Sequence, residues 1–90
     1  MKYVLQTYDG TTTSPATTIS PSARAITILR VATDGSYETL YYSHWDGQWS
    51  QCAKEIHSGP WHPHDPETGF TYKTYNTLDE LKADNIVEFL

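Results

Sequence analysis

The stretch RAITILRVATDGSYETLYYSHWDGQWSQCAKEI (residues 24–56) decides the fold of this chain. It contains three runs rich in β-branched and aromatic residues, and an Asp-Gly pair separates each run from the next. The runs are residues 24–33, 36–45 and 48–56. Asp-Gly pairs favour two-residue type I′ turns, whose twist matches that of paired strands. We therefore predict three adjacent antiparallel strands that turn at Asp34-Gly35 and at Asp46-Gly47.

The segments before this stretch predict one more strand and a long loop. Residues 2–8 (KYVLQTY) favour a strand, and Asp9-Gly10 is a turn signal that ends it. Residues 11–23 are rich in Ser and Thr and contain Ile19 as their only large apolar residue. Because such a segment offers little apolar area to offset the entropy cost of ordering, we predict a mobile loop there.

The segment after the central stretch predicts a second loop and a short strand. Residues 57–69 contain three prolines and two glycines, a composition incompatible with a helix or a central strand. Residues 70–75 (FTYKTY) return to a β pattern.

The last part of the chain predicts a short helix. Thr77 and Glu80 form a capping box, in which each side chain accepts a hydrogen bond from the backbone amide of the other. The helix is expected to continue to about Asp84, with Asn85 in a left-handed conformation at its end. Residues 86–90 (IVEFL) are expected to form a terminal strand or a hydrophobic clamp.

Together these elements predict one α+β domain over residues 1–90. Its expected architecture is an antiparallel β-meander sheet of four to six strands with one short C-terminal helix. Seven apolar residues are expected to contribute most of the core. They are Ile26, Ile28, Leu29, Val31, Leu40, Leu78 and Leu81.

Composition excludes several classes of partner. The formal net charge is −5 at pH 7, and eleven acidic residues outnumber six scattered Lys and Arg residues. Because nucleic acids and anionic membranes are bound through clustered cations, neither is an expected direct partner. No apolar run approaches the roughly 20 residues that span a bilayer, and the N-terminus lacks a signal peptide's apolar region. With Cys52 as the single cysteine, the chain is expected to be cytoplasmic.

No motif predicts catalysis or a cofactor. The glycines stand singly, so no phosphate-binding loop is present in the sequence. Cys52 with a histidine could act as a nucleophile and its base, but a lone Cys on a strand is more often a small buried hydrophobic residue. We therefore expect no enzyme activity and no cofactor.

A metal site is the main alternative. The loop 57–65 contains His57, His62, His64 and Asp65, which are all metal-ligand types. In an extended chain His62 and His64 project from the same face, as two ligands must. This alternative is a metal-binding domain or a metal-dependent enzyme, although the spacing matches no established zinc pattern.

Clustered aromatic residues indicate a recognition surface. All three tryptophans lie within residues 37–61. Because Trp and Tyr dominate interface hot spots, we predict a partner-binding surface at the tip of the second hairpin and the following loop. Its predicted anchors are Tyr42, Trp45, Trp49, Trp61 and His62.

The preferred functional hypothesis is therefore a small acidic protein-binding domain of inhibitor or adaptor type. Its partner is expected to be another protein with a basic surface. An inhibitor of a host protein, encoded by a phage or mobile element, is a specific hypothesis within this class, based only on size. A structural subunit that forms a homo-oligomer through an exposed strand edge is a further alternative.

Overall fold

A computed structural model describes residues 1–13 and 17–85 and confirms the predicted α+β fold. Its elements are β1 (Lys2–Tyr8), β2 (Thr11–Thr12), β3 (Ala25–Val31), β4 (Tyr37–Trp45), β5 (Gln48–His57), β6 (His64–Asp65), β7 (Phe70–Thr71) and α1 (Leu78–Asp84). An antiparallel sheet of five strands has the order β2-β1-β3-β4-β5, and β6 and β7 form a separate two-stranded sheet. The prediction for residues 86–90 lies outside the described residues.

The two predicted hairpins form, but with different turns. At the second, Asp46 and Gly47 both have positive φ angles, of 54° and 77°, as a type I′ turn requires. At the first, only Gly35 of the pair has a positive φ, and its amide donates to the carbonyl of Ala32 at 3.0 Å. The type I′ prediction is therefore wrong at Asp34. Its carboxylate instead accepts from the Ser36 amide at 2.9 Å and stabilises a longer loop.

The long loop predicted over residues 11–23 is partly ordered by the sheet. Asp9-Gly10 forms a further hairpin, with φ angles of 47° and 78°, and residues 11 and 12 pair with the end of β1. Thr13, Ile19 and Ala23 are buried, and the last two belong to the hydrophobic core. This segment therefore contributes apolar contacts that its Ser- and Thr-rich composition does not predict.

The sheet carries a hydrophobic cluster on each face. The face covered by α1, here called the helix face, buries nine residues in one cluster. They are Leu5, Ile19, Ala23, Ile26, Ile28, Leu40, Tyr42, Tyr75 and Leu81. The opposite face, here called the loop face, buries Val4, Leu29 and Val31 beneath Trp61 and Tyr72 of the segment that follows β5.

Six of the seven predicted core residues are buried, and Leu78 is half-buried against the helix-face cluster. The sequence prediction did not include Val4, Leu5 or Tyr75. The predicted strand at 70–75 is shorter than expected, because only Phe70–Thr71 form a strand. Tyr75 instead joins β1 through an isolated bridge to Tyr3.

The helix begins at its predicted N-cap. The Thr77 hydroxyl accepts from the Glu80 amide at 3.1 Å, whereas the Glu80 carboxylate accepts from the Asn76 amide and not from Thr77. The left-handed prediction for Asn85 is wrong, because its φ is −101°. Its buried side chain donates to the carbonyl of Leu81 at 2.8 Å and thereby closes the helix. Within the described ranges, no helix has the length and apolarity needed to cross a membrane.

Candidate functional site

The outer strand β5 is the least covered part of the sheet. Among the described residues it pairs with β4 alone, and its other edge has no strand neighbour. Eight of its ten residues are exposed, and only Trp49 and His57 are half-buried. A long edge strand presents a row of backbone amides and carbonyls that another chain can pair with. The β4–β5 hairpin is therefore the candidate site.

A β-bulge at Cys52 divides β5 into two halves. Tyr42 pairs with Gln51 and Tyr41 pairs with Ala53, so Cys52 is the additional residue. The bulge shifts the alternation of side chains by one residue. On the helix face β5 presents Trp49, Gln51, Lys54 and Ile56, and on the loop face it presents Gln48, Ser50, Ala53, Glu55 and His57.

The tip of the hairpin exposes a large aromatic side chain. Trp45 is 81% exposed and precedes the turn residue Asp46. The sequence suggests a contact between Trp45 and Trp49, but Trp45 lies opposite Gln48. Trp49 lies opposite His44, with ring centroids 5.1 Å apart, and packs against the helix-face cluster. Trp45 is therefore the exposed aromatic residue at the tip.

The five predicted anchors do not form one surface. Tyr42 is buried, and its burial raises the pKa of its phenol. Trp61 packs against Tyr72, and its amide donates to the carbonyl of Gly35 at 2.9 Å, beside the β3–β4 turn. His62 is exposed in the same loop.

The tip and this loop lie at opposite ends of β5. The strand runs from Gln48 at the tip to His57 at the loop. At roughly 3.3 Å per residue, about 30 Å of strand separates them. The tip and the loop are therefore two separate surfaces in one chain.

A polar network on the loop face links β5 to β4. Tyr41 donates to the Glu55 carboxylate at 3.0 Å, and the other Glu55 oxygen lies 3.6 Å from His57 Nε2. The His57 ring stacks on Tyr37 with centroids 4.6 Å apart. The hydrogen bond to Glu55 raises the pKa of the Tyr41 phenol. These contacts fix the strand that carries the exposed edge.

Three of the four predicted metal ligands make other contacts, and His62 is exposed. His57 stacks on Tyr37, His64 Nδ1 lies 2.8 Å from Thr71 Oγ1, and Asp65 accepts from the Glu67 amide at 2.9 Å. Within residues 1–13 and 17–85, no group of three His, Cys, Asp or Glu side chains is placed to hold a metal ion.

The other end of the hairpin has an ion cluster beside an apolar residue. The Glu38 carboxylate pairs with Arg30 and lies 3.9 Å from Lys54 Nζ. The hydrogen bond that Arg30 donates to the Glu38 carboxylate raises the pKa of the Arg30 guanidinium. Ile56, which is 74% exposed, lines a shallow groove of about 160 Å³ next to this cluster. This volume is below the roughly 300–1,000 Å³ of typical small-molecule sites.

Sequence reasoning did not identify the exposed apolar residue Ile56 or the edge position of β5. A hydrophobic residue in a strand pattern predicts burial, whereas Ile56 is exposed because none of the described residues covers it. No family model, no curated protein and no solved structure matches this chain.

Proposed function

We propose that this chain is a non-enzymatic, protein-binding domain of inhibitor or adaptor type that engages its partner through the tip of the β4–β5 hairpin. The observation that carries this proposal is the exposure of Trp45, at 81%, on a hairpin fixed by a two-residue turn. Trp is enriched in interface hot spots, and a rigid tip loses little conformational freedom on binding.

Charge favours a partner with a basic surface. Asp46 lies beside Trp45 and is exposed, and the chain carries a formal net charge of −5. A partner with Lys or Arg residues around an apolar pocket would match both features and would associate faster at low salt. We place this interaction in the cytoplasm, since the single cysteine suits a reducing compartment.

The test begins with capture of partners from the native host, after which each captured protein is purified. Its affinity for the wild-type chain, for Trp45→Ala and for Gln48→Ala is then measured by calorimetry at two salt concentrations. Gln48 is the matched control because it is exposed and lies directly opposite Trp45. We expect Trp45→Ala to lose about 2 kcal/mol or more of binding free energy, and Gln48→Ala to lose less than about 1 kcal/mol.

Salt should weaken binding of the wild-type chain, because a basic partner is attracted to the acidic tip. A purified partner that binds Trp45→Ala as tightly as the wild type would overturn the proposal for this tip. A partner whose affinity does not depend on salt would overturn its electrostatic part.

A further inference from the structure

We propose that β5 pairs antiparallel with β5 of a second copy of this chain, with the two-fold axis between Cys52 and Ala53. The dimer would join two five-stranded sheets edge to edge. This inference is independent of the proposed function, because it uses the edge of β5 and not Trp45.

The bulge restricts which registers are possible. A two-fold axis perpendicular to the joined sheet keeps the faces aligned, so helix-face residues must oppose helix-face residues. Cys52 shifts the alternation of side chains between the two faces in the middle of β5. In most registers of the two strands, a helix-face residue of one copy would therefore lie opposite a loop-face residue of the other. A two-fold axis between Cys52 and Ala53 places Cys52 of each copy opposite Ala53 of the other and restores the match on both sides of the bulge.

This register uses all ten residues of β5. It opposes Cys52 with Ala53 at the axis, and outside the bulge it opposes Trp49 with Ile56, Gln51 with Lys54, Ser50 with Glu55 and Gln48 with His57, each pair occurring twice by symmetry. Of these four outer pairs, the first two lie on the helix face and the last two lie on the loop face. Each residue outside the bulge therefore meets one of its own face.

The facing pairs are also chemically compatible. Ile56, which is 74% exposed in the single chain, would contact the half-buried Trp49 of the second copy. Lys54 would face the amide of Gln51, and Glu55 would face the hydroxyl of Ser50, so no like charges oppose each other. A bulge and a lysine on an edge strand usually hinder pairing. In this register the two bulges lie side by side at the axis, and the lysines are offset.

The dimer would also bring together surfaces that are distant in one chain. Gln48, beside Trp45 at the tip, would oppose His57 of the second copy. The loop of the second copy that carries Trp61 begins after that histidine. Each end of the joined sheet would therefore carry one hairpin tip and the aromatic loop of the other copy.

Charge variants at two neighbouring positions test the register. Lys at position 51 would oppose Lys54, whereas Lys at position 50 would oppose Glu55. We expect Gln51→Lys and Ser50→Glu to weaken the dimer, and Gln51→Glu and Ser50→Lys to strengthen it. Each change should be on the order of tenfold in the dimer Kd, because two symmetric cross-strand pairs change in each variant. Sedimentation equilibrium over a concentration series measures Kd.

These four variants separate the register from general repulsion. If net charge alone controlled association, both Lys variants would strengthen the dimer and both Glu variants would weaken it. That result would overturn the proposed register, as would a dimer that none of the variants affects. A wild-type chain that stays monomeric at the highest concentration would overturn the dimer itself. Circular dichroism confirms that each variant remains folded.

Discussion

β3 and β5 are both strands of one sheet, yet their surroundings are opposite. β3 lies between β1 and β4, and four of its seven residues are buried, distributed over both faces. Among the described residues β5 has one strand neighbour, and none of its own residues is buried. The same residue type shows the difference, since Ile28 is fully buried and Ile56 is 74% exposed.

The covering layers explain this contrast. α1 packs over the β1 side of the helix face, and the segment carrying Trp61 and Tyr72 packs over Val4, Leu29 and Val31 on the loop face. Neither layer buries a residue of β5. Stability is therefore concentrated around β3, whereas the second edge of β5 has no strand neighbour within residues 1–13 and 17–85.

The largest expected effect tests this contrast with one substitution at two sites. Ile28→Ala removes a fully buried side chain and should reduce the free energy of unfolding by about 2–5 kcal/mol. Ile56→Ala should change it by no more than about 0.5 kcal/mol, the range of exposed substitutions. Urea denaturation of both variants in dilute solution, where a β5 dimer would dissociate, provides the measurement.

Equal losses at the two positions would contradict the contrast. A large loss at Ile56 alone would place a covering layer over β5 in solution. A small loss at Ile28 would mean that β3 is peripheral, and the core would have to be assigned elsewhere.

The strands and turns of this fold were predictable because their signals are local. Asp46-Gly47 specifies a tight turn by backbone preference alone, and Thr77 with Glu80 marks a helix start within four residues. The Asp34 prediction failed for a local reason as well. Its carboxylate bonds Ser36, an arrangement that the dipeptide preference does not include.

The candidate site was less predictable because it depends on distant segments. Nothing in the sequence of β5 indicates that its second edge has no strand neighbour among the described residues. The separation of Trp45 from Trp61 is different, since the predicted strand at 48–56 already places its two ends far apart. Trp45 and Trp61 are close in sequence, but an extended strand between two residues keeps them far apart in space.

The segment that follows β5 makes a close backbone contact at Gly59. Gly59 packs against the β3–β4 turn, and a Cβ there would lie 2.8 Å from the Gly35 carbonyl carbon and closer still to its oxygen. Gly59→Ala should therefore cost about 2–4 kcal/mol, from the collision and from its positive φ of 75°. This contact positions the loop that covers the loop face of β3. Its loss should therefore expose that face of β3 to solvent, as β5 is exposed.

Gly69→Ala is the matched control. Its φ is 72°, nearly that of Gly59, but a Cβ there would have no atom within 4 Å. We expect a cost of about 1 kcal/mol from the backbone conformation alone. Thermal unfolding measures the stability that each variant loses, and the difference between the two losses is the part due to the collision. Equal losses would refute the close contact at Gly59.

The helix α1, which covers the helix face, is held by polar contacts at its C-terminal end. Asp84 at the end of α1 accepts hydrogen bonds from Lys73 at 2.8 Å and from the Tyr75 hydroxyl at 2.6 Å. The bond from Lys73, followed by that from Tyr75, lowers the pKa of the Asp84 carboxyl. Tyr75 also bridges to Tyr3 of β1, so Asp84 helps to fix α1 over the β1 side of the sheet.

A lowered pKa in the folded state determines the direction of the pH effect. The ionised carboxylate stabilises the fold above its unfolded pKa of about 3.9, and this contribution is lost as pH falls through the lower folded value. Asp84→Asn should therefore melt below the wild type at pH 7, and the difference in Tm should shrink towards pH 2. Glu67→Gln, at an exposed loop position, is the control for the loss of one negative charge. A Tm difference for Asp84→Asn that stays constant with pH would contradict this role of the carboxylate. It would show that packing of Tyr75 and Leu81 holds α1 against the sheet.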